Sequence, residues 1–220
     1  MRVFVTCLAV VLASLARPAH GQDPPPKIPL LTVDLHATVP LFPSGDPLLA
    51  ASRGMQIGDL PGSGLGVQAG VQVYLLRLRA ITVGVGGEIT KGRAGQTPAT
   101  VATTTTTTPA NPIRPSEERF TALSPQLSLN FGNGSGWSYL SAGMGTSTWS
   151  IVPEGLTDYP PNSDNVKTIN FGGGARWFIK PRLAFSFDVR FYAINPGAID
   201  LYPATPRTTL VIIGAGISLK

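Results

Sequence analysis

The 220 residues carry 17 Lys and Arg against 12 Asp and Glu, with 25 Gly, 21 Pro and a single Cys. The charge is too balanced and too scattered for a nucleic-acid surface, and one cysteine excludes a disulfide framework or a thiolate metal centre. Abundant Gly and Pro with little charge fit many strands joined by irregular connections better than helices.

The chain opens with Arg2, an apolar run from Val3 to Ala16, and Ala19-His20-Gly21 ahead of Gln22. This pattern predicts an export signal over residues 1–21, cleaved before Gln22. A spanning helix needs ~20 apolar residues, and this run is shorter. No later segment is long and apolar enough to cross as a helix. Cleavage would remove Arg2, Arg17 and Cys7, leaving no thiol and a smaller positive charge. Residues 22–29, polar and rich in proline, are expected to form a flexible lead, with the folded unit over 30–220.

From there the signal is alternation, the mark of a strand with one apolar face. Strand one places Leu31, Val33, Leu35, Ala37 and Val39 opposite Thr32, Asp34, His36 and Thr38. Pro40 to Ser63 has neither helical nor strand periodicity and is expected to be a long connection. Strand two sets Leu65, Val67, Ala69, Val71, Val73 and Leu75 against Gly66, Gln68, Gly70, Gln72 and Tyr74, and ends at a basic turn around Arg77 to Arg79. Strand three sets Ile81, Val83, Val85 and Ile89 against Thr82, Gly84, Gly86, Glu88 and Thr90. Regularity then fades until about Phe120, across a segment holding the Thr103 to Thr108 run, which predicts a long loop.

Strand four sets Leu123, Leu127, Leu129 and Phe131 against Ser124, Gln126, Ser128 and Asn130. It leads into Gly132-Asn133-Gly134-Ser135, a tight-turn signal. Pro125 cannot donate to a ladder and is expected to mark a bulge. Strand five, Trp137 to Ile151, has no clear parity: Leu140, Ala142 and Met144 favour one face, and Trp137, Tyr139 and Trp149 the other. Strands six and seven form the clearest hairpin, joined at Ile179-Lys180-Pro181-Arg182. Ile169, Phe171, Gly173, Ala175, Trp177 and Ile179, then Leu183, Phe185, Phe187, Val189 and Phe191, make its apolar face. The opposite face carries Arg176, Asp188 and Arg190. After Ala193 to Pro206, strand eight alternates Val211, Ile213, Ala215, Ile217 and Leu219 with Ile212, Gly214, Gly216 and Ser218.

Eight strands result, and their connections alternate long and short from first to last. An even strand number, short turns at one end, long loops at the other and ~9–11 residues per span are the features of a barrel that crosses a membrane. Charge keeps to one parity: Asp34, Glu88, Arg176, Asp188 and Arg190 all oppose the bulky face. That polarity predicts an all-β, eight-stranded antiparallel up-and-down transmembrane β-barrel, bulky side chains toward lipid and charges in the lumen. Phe131 and Trp177, with Trp137 nearby, would form an aromatic girdle at the short-turn end.

On these features, and on the hairpin from Gly172-Gly173-Gly174-Ala175-Arg176 to Asp188-Val189-Arg190, the mature chain resembles the small eight-stranded outer-membrane barrels of Gram-negative bacteria, of the outer-membrane protein A and X type. One departure is Ile217-Ser218-Leu219-Lys220, where that family commonly carries a terminal aromatic residue. The resemblance implies a monomer in the outer membrane, with membrane lipid and the barrel-insertion machinery as partners. It also implies that any external ligand binds the loops.

Gly62-Ser63-Gly64-Leu65-Gly66 and Gly84-Val85-Gly86-Gly87 lack the helix and the Gly-Lys-Ser/Thr element of a phosphate loop. His36 lies beside Asp34, yet no serine motif supplies a nucleophile, and one histidine without cysteine is a poor metal site. No catalytic residue, metal or cofactor is therefore expected. Asp34, His36, Glu88, Gln126, Arg176, Asp188 and Arg190 are expected to form a structural polar network in the lumen, with Arg190 paired to Glu88 or Asp188. The leading functional reading is a non-enzymatic barrel with a structural or surface-interaction role through its long loops. The alternatives are a lipid- or peptide-modifying barrel enzyme, a narrow pore, and a soluble ligand carrier of lipocalin type. The last would need an apolar cavity rather than charged inward residues.

Overall fold

A computed structural model describes residues 26–52, 55–97, 115–153, 163–194 and 207–220. The expected signal peptide, the start of the lead and the threonine run lie outside these residues. The strands are β1 (Leu31–Leu41), β2 (Leu65–Leu78), β3 (Ile81–Gln96), β4 (Ser116–Asn133), β5 (Gly136–Pro153), β6 (Ser163–Lys180), β7 (Leu183–Ile194) and β8 (Thr208–Leu219). Each pairs antiparallel with its sequence neighbours, and β8 returns to β1 from Val33↔Leu219 to Leu41↔Val211, closing an eight-stranded up-and-down barrel. Turns at Arg79-Ala80, Gly134-Ser135 and Pro181-Arg182 sit at one end, and the long connections at the other.

Alternation sets the facing, as the period of a strand requires. Leu35, Val71, Leu127, Ile169, Phe187 and Ile213 point outward and are exposed. Thr32, Asp34, His36, Gln68, Glu88 and Asn130 point inward and are buried. Strand five resolves in the same way: Leu140, Ala142 and Met144 face out, and Trp137, Tyr139 and Ser141 face in. Trp137 is therefore no part of a girdle. Only 3% exposed, it lies in the lumen near the turn end, whereas Phe131 and Trp177 do face outward.

Several boundaries differ from the sequence reading. β3 and β4 continue past the apolar alternation, pairing Lys91↔Thr121 through Gln96↔Ser116. Here Lys91 and Arg93 face out while Gly92 and Ala94 face in, so hydropathy no longer marks a strand. Pro125 is not a bulge, because the β4–β5 register is the same at Leu123↔Thr146 and at Gln126↔Gly143. Its missing donor interrupts the ladder without adding a residue. The register shifts fall instead between Tyr74 and Leu76, Ser147 and Trp149, and Phe178 and Lys180.

The first long connection is also structured. Asp46 accepts hydrogen bonds from the backbone N–H groups of Leu48 (2.9 Å) and Leu49 (3.2 Å), capping the short helix α1 (Pro47–Ala51). A single 3-10 turn follows at Ile57–Asp59. Two turns are too short to show a 3.6-residue period, which explains their absence from the sequence pattern. Together they fold Phe42, Leu49 and Leu60 onto Phe120, Trp149, Tyr192, Leu210 and Ile212, an apolar cluster across the long-loop mouth.

The turn end is closed differently. Residues 26–29 of the segment expected to be a flexible lead, and Leu30 after them, dock beneath the barrel. The Gly134 N–H donates to the Pro26 carbonyl (2.5 Å), the Tyr74 N–H to that of Leu30 (2.8 Å), and the Arg77 guanidinium to that of Ile28. Ile28 packs with Tyr74, Trp137 and Phe178. Lys220 adds a clasp, its ammonium 3.9 Å from the Phe178 ring centre and bonded to the Gly134 carbonyl.

Leu49 is the fully buried anchor of the mouth cluster. Leu49→Ala is expected to remove about 2–5 kcal/mol from local closure of the cap. Amide exchange should accelerate across residues 42–63 while the strands stay protected.

Candidate functional site

Between the two apolar closures the lumen is charged. Eight strands leave an interior that side chains alone fill, so each buried charge has to find its partner on a facing strand. All seven residues singled out from the sequence face this interior and are buried. They divide into a turn-side pair, a central network and two further positions, His36 and Gln126.

In the turn-side pair, Arg176 of β6 grips Asp34 of β1 through two parallel bonds, Nε to Oδ1 at 2.9 Å and Nη2 to Oδ2 at 2.6 Å. This fork geometry is what guanidinium and carboxylate planes allow. The Ser218 hydroxyl also donates to Asp34. The Arg176 guanidinium carbon lies 4.1 Å from the Tyr139 ring centre and 5.6 Å from that of Trp137, giving the cation two π faces.

The central network is built on Arg190, 2% exposed. Its Nε lies 3.0 Å from Asp188 Oδ1 and 3.2 Å from Glu88 Oε2, its Nη2 donates to Asp188 Oδ2 at 2.9 Å, and its Nη1 to Ser141 at 3.0 Å. It therefore pairs with both carboxylates. Neutral donors complete them: Tyr192 and Gln68 to Glu88, and Tyr139 to Asp188, each at 2.6 Å. Among the described residues three carboxylates here face two guanidiniums, and a fourth, Glu118, nearer the long-loop mouth, accepts from the Trp149 indole N–H at 2.6 Å; these hydroxyl, amide and indole donors disperse the excess negative charge.

Tyr139 links the two halves, its ring beneath Arg176 and its hydroxyl on Asp188. A Cβ at position 174 would come within 2.7 Å of that hydroxyl, so Gly174 leaves the space the ring crosses. His36 and Gln126 bond to neutral side chains. His36 Nε2 meets the Ser186 hydroxyl at 2.7 Å, and Gln126 Oε1 accepts from Gln72 at 3.4 Å. No hydrogen-bond partner among the described residues reaches His36 Nδ1.

Sequence reasoning missed Gln68, Tyr139, Ser141, Tyr192 and Ser218 as network members. Gln68, Tyr192 and Ser218 share the polar parity of their strands, a signal that was readable, whereas Ser141 lies with Tyr139 on β5, whose parity was open. Gln68 and Glu88 belong to neighbouring strands and His36↔Gln68 is a backbone pair, but which barrel-crossing contacts form depends on closure. Tyr139 was hidden because β5 has aromatic residues on one parity and aliphatic ones on the other.

This arrangement defines a class: a closed eight-stranded barrel with an apolar exterior and a charged, packed interior, the polarity of a barrel that spans lipid. Among solved structures the chain is similar to Neisserial surface protein A, at 12% identity over 86% of this chain and 94% of that one, with a TM-score of 0.48. It is similar also to the outer membrane protein OprG from Pseudomonas aeruginosa, at 10% identity over 90% and 98% of the two chains, TM-score 0.49. A third is Ail, the attachment invasion locus protein of Yersinia pestis, in complex with the heparin analogue sucrose octasulfate, at 12% identity over 86% and 96%, TM-score 0.42. No protein-family model and no curated protein matches the sequence.

Arg190→Leu leaves Glu88 and Asp188 without their shared cation and is expected to cost about 3–5 kcal/mol in reversible unfolding from detergent micelles or bilayers. Tyr139→Phe removes one hydrogen bond to a buried carboxylate and should cost about 1.5–3 kcal/mol in the same assay.

Proposed function

We propose that this chain is a non-enzymatic barrel of a Gram-negative outer membrane, exported by its N-terminal signal, that serves the envelope structurally and meets its surroundings through the long-loop end. The observation that carries this reading is the reversal of polarity across the wall. Exposed Leu, Val, Ile and Phe ring the outside, while Asp34, Glu88, Arg176, Asp188 and Arg190 are buried inside. In water the outer face would be a large unprotected apolar surface, and in hydrocarbon it is the favourable one.

A conducting role is disfavoured by the same interior. The Phe42–Leu49–Leu60 cluster covers one mouth, Ile28 packs into the other, and paired charges occupy the space between. The structured cap and the remaining long connections are then the surface available to partners, since loops on a rigid scaffold are where recognition concentrates.

Topology supplies the test. With Cys7 in the expected signal, single-cysteine variants report sidedness without background. Gly58, in the cap, has open space around its Cα, and Asn133 lies at a tight turn. Gly58→Cys is expected to react with an impermeant maleimide on intact cells, and Asn133→Cys only after the outer membrane is opened. The reverse pattern would overturn the orientation, and recovery of the protein in the soluble periplasmic fraction would overturn the location. In planar bilayers the purified barrel is expected to show no stepwise conductance.

A further inference from the structure

The outer wall carries one feature that uniform lipid contact does not use. At Pro125 the β4–β5 ladder is interrupted, with paired positions at Leu123↔Thr146 and Gln126↔Gly143 and none between. Proline has no N–H to offer β5. The result is an outward groove of about 560 Å³ across β4, β5 and β6, with a floor of Leu123, Pro125, Met144 and Ile169. Met144, 70% exposed, is among the most exposed large apolar side chains of the chain. Two cations, Lys167 and Arg207, stand on its lining, near the long-loop ends of β6 and β8.

Among the described residues the charge around this level is one-sided. Outward on the long-loop half are Lys91, Arg93, Arg119 and Lys167, with Arg207 just ahead of β8. The outward carboxylate described there, Glu117, is buried under Arg93 (3.1 Å) and Arg119 (2.5 Å). We infer that the groove is a binding site for a single lipid of the long-loop leaflet, its acyl chain on the Leu123–Met144–Ile169 floor and its anionic phosphate headgroup between Lys167 and Arg207. An apolar floor within the lipid-facing band accepts a hydrocarbon chain, and two cations at its mouth, in no ion pair among the described residues, favour a net-negative headgroup over a zwitterionic one, whose own ammonium they repel.

This inference rests on the membrane placement proposed above, and the experiment separates the two. Met144→Trp puts a reporter in the groove, and its fluorescence is compared with that of the parent chain in phosphatidylcholine vesicles holding a minor fraction of acyl-brominated lipid. Brominated phosphatidylglycerol is expected to quench the added tryptophan at lower mole fraction than brominated phosphatidylcholine. Lys167→Ala and Arg207→Ala should each reduce that preference about fivefold, the equivalent of roughly 1 kcal/mol per cation near an anionic surface. Lys167→Arg with Arg207→Lys should retain it. Equal quenching by the two lipids in the Met144→Trp protein would overturn the site while leaving the barrel in the membrane. No quenching by either would overturn the membrane placement and the site with it. Loss of the preference on adding millimolar inorganic phosphate would assign the cations to a free anion and overturn the lipid claim.

Discussion

Backbone hydrogen bonding in a medium without water is the constraint on which the rest of this protein depends. A strand in hydrocarbon cannot leave an edge unpaired, so the sheet has to close, and the β1–β8 seam from Val33↔Leu219 to Leu41↔Val211 is the closure. Once the sheet closes, period-2 alternation divides every strand between lipid and lumen, and a one-residue slip would exchange the two. The ladder breaks at Pro125 without slipping, because the register is held on both sides of it.

Closure with eight strands makes the lumen narrow, and narrowness explains its chemistry. Side chains must fill the space and also satisfy one another. Arg190, Glu88 and Asp188 meet from β7 and β3, Arg176 and Asp34 from β6 and β1, and Tyr139 spans the gap between them. Such pairs add less to net stability than their distances suggest, since desolvation opposes the attraction. Their removal one partner at a time is costly, which fixes the register of strands distant in sequence. The apolar clusters at the two mouths keep bulk water from the pairs and so preserve their strength.

Much of this architecture was legible in the sequence, and for identifiable reasons. The hairpin over Ile169–Tyr192 could be faced because Phe, Trp and Val alternate with Arg and Asp, and the strand count followed from the same rule. Three kinds of feature were not legible. Strand segments beyond the apolar band, such as Lys91 to Gln96, carry cations outside and small residues inside, so they look like loop. The cap over Pro47–Asp59 and the docked Ile28 are held by tertiary contacts that leave no local period. Trp137 and Tyr139 are bulky aromatics that face inward, and their parity is set by long-range contacts, Arg176 over both rings and the Tyr139 hydroxyl on Asp188.

The central claim is that the bulky parity faces hydrocarbon. Nitroxide labels at Leu127, Phe187 and Ile213, on three strands around the wall, measure it directly through relaxation by oxygen, which concentrates in lipid, and by a water-soluble nickel chelate. The account predicts strong relaxation by oxygen and weak relaxation by the chelate at all three positions in reconstituted bilayers. Strong relaxation by the chelate at these positions would mean that the apolar face meets water, and would contradict the transmembrane barrel.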